Sequence, residues 1–239
     1  MVSKRYFQML TEILKGVLLL LCVYGASDYS QTKESIDLSN RIAGGNHVYL
    51  TYISLYMTII TLFLSYLVKH FGFSSINGIY RDALAITLPI EALVTSVFWT
   101  LNSIDPTLLK DRDLYLAGIR TPFISELSIH LVPMILLLAD QFGAEIKHKN
   151  HHYHALIIIP LAYLFVIHYV YWANNYWIYP FLGCIPAVMR IGLTLVLIVL
   201  ILIYYNIFQA ISKLLIKGIP EHSKHSLPHT QYSEDSKNK

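Results

Sequence analysis

Charge is what this sequence lacks most. Asp, Glu, Lys and Arg supply 14% of its 239 residues, whereas a soluble domain carries roughly a quarter. The shortfall excludes an ordinary soluble enzyme. Cysteine is scarce as well: Cys22 and Cys184 both fall in or beside apolar segments, so neither a disulfide scaffold nor a cysteine-based zinc site is supported. Nor do the basic residues gather into a stripe. A net charge of +3, spread between apolar segments, offers no surface for a nucleic-acid partner.

Apolar residues are present in abundance, and they come in blocks rather than amphipathic stripes. They make up 55% of the chain, with a mean hydropathy of +0.49. A helix needs about 20 apolar residues to cross roughly 30 Å of hydrocarbon. Six stretches meet or approach that length, at 6–24, 49–68, 82–101, 121–139, 155–172 and 187–207. Backbone groups in lipid must be satisfied internally, so each reads as a helix. The fold class expected is therefore all-α, a polytopic membrane protein with six transmembrane helices in one bundle. This domain occupies 1–211, and a Lys-, His- and Ser-rich stretch over 212–239 reads as a disordered cytoplasmic tail. Lys4 and Arg5 before an apolar run suggest a signal peptide, but no small-residue cleavage site precedes a soluble domain, so the first stretch reads as a retained span. Lys and Arg are more numerous on the side that holds both termini, which places the termini in the cytoplasm. No sorting signal is evident, and residence in the endoplasmic reticulum is the expectation.

Within these stretches a few polar residues stand out. Gly44 and Gly45 end a loop just before the second stretch, and Thr51 falls near its start. A threonine in a membrane helix commonly bonds its hydroxyl to a carbonyl three or four residues back, which by itself explains such a residue. The third stretch contains Pro89 and Glu91, and a carboxyl at membrane depth is costly unless protonated, paired or facing a polar cavity. The fourth contains His130 with Pro133 shortly after it; a satisfied structural donor is the bland reading, a general base the sharper one. Glu12 and Lys15 are spaced three apart in the first stretch, the separation of an interfacial ion pair. The acidic and basic residues of the loop 102–120 read as self-neutralising and solvated. His148, His151, His152 and His154 form a cluster expected in a loop. Their spacing is like one ligand box of the membrane di-iron oxidases, but such a centre needs about three boxes to surround two metals. No metal and no other cofactor is expected.

Four runs appear in order: Gly44-Gly45 to Leu50-Thr51, Phe98-Trp99-Thr100-Leu101 with Asp105, Ser128-Ile129-His130, and Trp177-Ile178-Tyr179-Pro180-Phe181-Leu182. With this order and helix spacing the chain resembles the androgen-induced gene family of six-span membrane proteins, over everything but the tail. The resemblance implies a hydrolase of fatty acid esters of hydroxy fatty acids, with Thr51 at the nucleophile position and His130 at the base position. An imidazole acting as base needs a third group to orient it, and Glu91 is the candidate. The expected partners are a lipid ester substrate and membrane lipids. The competing reading is a non-enzymatic membrane protein, either a lipid-binding regulator or a small transporter. Pro89 and Pro133 interrupt two stretches, but no internal repeat accompanies them as it does in many transporters.

Overall fold

The computed structural model describes residues 2–142 and 146–217; residue 1, residues 143–145 and the tail from 218 onward lie outside the described residues. Among the described residues there are α-helices and short 3-10 turns and no strand. The helices are α1 (Val2–Ala26), α2 (Lys33–Asn40), α3 (Leu50–His70), α4 (Asn77–Ile104) and α5 (Arg112–Leu116), followed by α6 (Phe123–His130), α7 (Val132–Gln141), α8 (Asn150–Asn174) and α9 (Ala187–Lys217).

Five segments among the described residues are long and apolar enough to cross a membrane: Leu50–His70, Ser74–Ile104, Phe123–Gln141, Asn150–Asn174 and Ala187–Leu214. The expected first span, which falls within α1, is not one of the five. α1 carries Glu12 and Lys15, whose side chains pair at 3.1 Å, as their spacing predicts. His70 approaches the same carboxylate at 3.6 Å, tying α1 to the end of α3.

α4 is the central post. In its apolar window 67% of residues are buried, against 17% in α8 and 11% in α9. Leu84, Ala85, Leu88 and Leu93 of α4 pack with Leu137, Leu156, Ile201 and Tyr205 of α7, α8 and α9. The outer faces of α8 and α9 remain apolar, with Phe165, Trp172, Val188 and Val196 exposed. A helix apolar all round is stable only in a core or in lipid, so these faces fit a hydrocarbon solvent.

α1 closes the opposite flank through Cys22, Leu55, Ile129, Val132 and Leu136. Its contact with α6 depends on Gly25. A Cβ there would lie 2.6 Å from Ile129 Cγ2 and 2.7 Å from Ser128 Oγ. Small residues let membrane helices approach this closely. Gly25→Leu is expected to lower stability by about 1–3 kcal/mol through overpacking. A thermal melt in detergent checks this; an unchanged midpoint would show that α1 does not bear on α6.

Several boundaries differ from the expected ones. The fourth stretch is two helices, broken at Leu131 (φ −129°, ψ −48°), because Pro133 has no N–H for the next helical bond and its ring crowds the preceding turn. α4 and α8 instead run continuously through Pro89 and Pro160. The histidine cluster is not confined to a loop: α8 begins at Asn150, so His151, His152 and His154 are helical. α9 runs through Ser212 to Lys217, so the first part of the expected tail is helical, while 218–239 lies outside the described residues. Ser212 Oγ accepts the Ile146 N–H at 3.1 Å.

A candidate site in the apolar chamber

The loop before α3 sets the position of Thr51. Gly44 (φ 88°) and Gly45 (φ 56°) take left-handed conformations, and a Cβ on Gly44 would meet Val48 Cγ1 at 2.3 Å. This turn delivers the chain into α3 so that Thr51 is its second residue. Asn46 then donates to Gln31 Oε1 at 3.0 Å, and Gln31 Nε2 donates to Tyr52 OH at 2.7 Å, latching the loop onto α3. Gly44→Ala combines strain with a clash, and is expected to cost about 1–2 kcal/mol locally. Faster amide exchange at Leu50–Tyr52, with the α4 core unchanged, is the readout.

Thr51 is buried to 9% exposure and lies beside the Tyr179 hydroxyl. The Leu50 N–H donates to Tyr163 OH at 2.9 Å and to Tyr179 OH at 3.3 Å, so both phenols hold the start of α3. Burial pushes the Tyr179 hydroxyl above its ordinary pKa, and it keeps its proton at neutral pH. Thr61 bonds back to the Met57 carbonyl at 2.8 Å, the ordinary behaviour of a helical threonine. Among the hydrogen bonds of the described residues Thr51 Oγ1 makes no such bond.

His130 ends α6, immediately before the proline break. Its ring stacks on Phe98 with centroids 3.3 Å apart and planes 7° from parallel. Its Nε2 faces Glu126 Oε2 at 3.4 Å, one helical turn back on the same face. The other oxygen, Glu126 Oε1, accepts from Lys110 Nζ at 2.6 Å. A carboxylate at Nε2 selects the tautomer protonated there, leaving Nδ1 as the lone pair. That Nδ1 is buried and has no protein partner.

The group that meets His130 is thus Glu126, and the expectation for Glu91 is corrected. Glu91 is fully buried, and Thr58 Oγ1 donates to its Oε1 at 2.9 Å. Glu126 had a sequence signal, the four-residue spacing to His130. Lys110 had none, since it comes from a loop 16 residues away, and it is not neutralised by its loop neighbours. Asp111 instead caps α5 by accepting the Leu114 N–H at 3.0 Å.

Thr51 and His130 line the same cavity, of about 260 Å³, whose walls are mostly apolar side chains from α4, α8 and α9. Glu126, Lys110, Tyr179 and Arg190 also border it, and Glu91 does not. A more polar cavity of about 160 Å³ adjoins it, sharing Gln31, Asn46, Lys110 and Thr121 with the chamber wall.

A second polar cluster joins α4 to α8. Ligand atoms of Asp82, His151 and His152 lie within 4.8 Å of one another, close enough for a single metal ion. Asp82 Oδ1 also accepts from Lys149 Nζ at 2.5 Å, and His152 Nδ1 meets Tyr205 OH at 2.8 Å. Three ligand groups are fewer than a di-iron centre requires. The cluster works as a clasp in which one carboxylate serves two imidazoles and an ammonium.

Among the described residues, a helical bundle with five membrane-length apolar helices that line an apolar chamber defines a polytopic membrane protein. The sequence profile of the FAR-17a/AIG1-like protein family matches residues 13–213, and the chain belongs to that family. It is 24% identical over 160 residues to a UPF0641 membrane protein of Schizosaccharomyces pombe, covering 64% of this chain and 70% of the relative. No solved structure matches.

Proposed function

We propose that the protein is an intramembrane lipid-ester hydrolase, acting on fatty acid esters of hydroxy fatty acids, with Thr51 as nucleophile and His130 as general base. The observation that carries this reading is that both residues border one apolar chamber large enough to admit acyl chain. In this mechanism Thr51 Oγ1 attacks the ester carbonyl while His130 Nδ1 takes the hydroxyl proton. Glu126 holds the imidazole through Nε2 and offsets its charge once it is protonated. The carbonyl oxygen becomes an oxyanion, to which the protonated Tyr179 hydroxyl donates. Collapse breaks the ester C–O bond, and the leaving alcohol takes the proton back from His130. Water from the polar cavity then repeats the sequence on the Thr51 acyl ester, releasing the fatty acid and restoring the hydroxyl.

In the same reading α1 supplies a sixth span, both termini face the cytoplasm, and the protein resides in the endoplasmic reticulum. Labelling with a fluorophosphonate probe tests the nucleophile. The probe is expected to modify Thr51 and to be competed by lipid esters; labelling that persists in Thr51→Ala would remove Thr51 from the mechanism. A separate measurement addresses the orienting group. Glu126→Gln is expected to lower kcat by roughly 10–100-fold with KM little changed, because the ring loses its countercharge and its fixed tautomer. Equal kcat in the variant would take Glu126 out of the site.

A further inference from the structure

Arg190 is the one charged residue of the chamber wall for which neither the fold nor the proposed chemistry supplies a counter-ion. It lies in the first turn of α9, bordering the same cavity as Thr51 and His130. The other cation there, Lys110, is already matched by Glu126. Among the described residues Arg190 enters no salt bridge with a carboxylate.

Its guanidinium is nonetheless held in place. Nε donates to the Leu182 carbonyl at 2.9 Å, and the group lies over the Trp177 ring at 3.9 Å. Trp177 is fixed in turn, stacked on Tyr171 at 4.1 Å with planes 14° apart, and met edge-on by His168 at 5.4 Å. Gly183 lets the indole close in, since a Cβ there would stand 3.2 Å from Trp177 Cδ1. An arginine oriented on one edge by a carbonyl and on one face by an indole keeps its terminal amino groups for another acceptor. A charge at the edge of hydrocarbon without a partner is costly, and such groups pair with an opposite charge, bond a backbone carbonyl or face a water-filled cavity.

We propose that Arg190 is the subsite for the free carboxylate of the lipid substrate, the acid group that an ester of a hydroxy fatty acid carries. The role of the ester in this statement rests on the hydrolase reading; the carboxylate subsite does not. One uncompensated positive charge with a planar fork suits a singly charged carboxylate, which it grips through two parallel hydrogen bonds. A dianionic phosphate would leave excess negative charge in an apolar chamber.

The test uses purified full-length Thr51→Ala protein in detergent, so that ligand is not consumed, and compares radiolabelled oleic acid with methyl oleate. Oleate is expected to bind at least roughly tenfold more tightly, the usual scale for a charge-assisted pair. Arg190→Gln should bring oleate down to the level of methyl oleate while leaving the methyl ester unchanged, and Arg190→Lys should fall between. Equal affinity for acid and methyl ester before any change at Arg190 overturns the proposal. So does an Arg190→Gln variant that still prefers the acid, or a lysophosphatidic acid that displaces oleate more strongly than oleate displaces itself. Should Arg190→Gln fail to fold, seen as lost methyl oleate binding, the acid-to-ester ratio of the parent protein decides. Failure of the hydrolase reading would register separately, as no ester turnover by the parent protein, and failure of its Thr51 nucleophile as turnover retained by Thr51→Ala.

Discussion

Replacing His130 with alanine is expected to lower kcat for lipid-ester hydrolysis by about 10²–10⁴-fold, the range typical of a lost general base. The size follows from what the ring does. A threonine hydroxyl is a weak nucleophile until a neighbour takes its proton. His130 Nδ1 is buried and unpartnered, whereas Nε2 is occupied by Glu126. Removing the imidazole also removes the surface against which Phe98 stacks, so a modest loss of stability accompanies the change. His130→Gln, which keeps some of that packing, separates the two effects: it should fold like the parent and remain as inactive as the alanine variant. Activity near the parental level in either variant would remove His130 as the base.

The second large effect is at Thr51. Thr51→Ala should abolish measurable turnover, while Thr51→Ser, which retains a hydroxyl at the same atom, should keep part of it. The structural cost of either is small. Thr51 makes no bond back to its own helix among the described residues, and the start of α3 is held by Tyr163 and Tyr179 through the Leu50 N–H instead. A threonine that merely satisfied its helix would give the reverse pattern, with changed stability and unchanged turnover. Measuring kcat and the melting midpoint on the same preparations distinguishes the two.

Much of this architecture is readable from hydropathy alone, because only helices can bury their backbone in lipid and the apolar blocks are long. The stretches around Leu50–His70 and Ala187–Leu214 were legible in this way. The break at Leu131 was not: a proline can bend a helix or pass through it, and Pro133 interrupts one helix while Pro89 and Pro160 leave theirs continuous. The start of α8 is hidden because Asn150, His151 and His152 are polar, and polar runs between apolar stretches read as loops. Here His151 and His152 are bound to Asp82 of α4. α2 was hidden for a similar reason, being short and polar, with Thr32 as its N-cap.

At the site the resemblance of motifs pointed to Thr51 and His130, and the fold gives both of them the same chamber. Glu91 stands out in the sequence by its depth beside a proline, yet depth says nothing about direction. Helical spacing does: Glu126 and His130 share a face, and Glu91 is turned toward Thr58. Lys110 borders the chamber because a loop brings it there, and Arg190 because α9 begins beside the wall, which no periodic pattern records.

The most direct measurement is mass spectrometry of the peptide containing Thr51 after rapid acid quench of the protein with a lipid ester in turnover. An added acyl group is expected on Thr51 Oγ1, absent from Thr51→Ala and accumulating when water attack is slowed. Undiminished ester turnover by Thr51→Ala, with no acyl group on Thr51 in the parent, would contradict it.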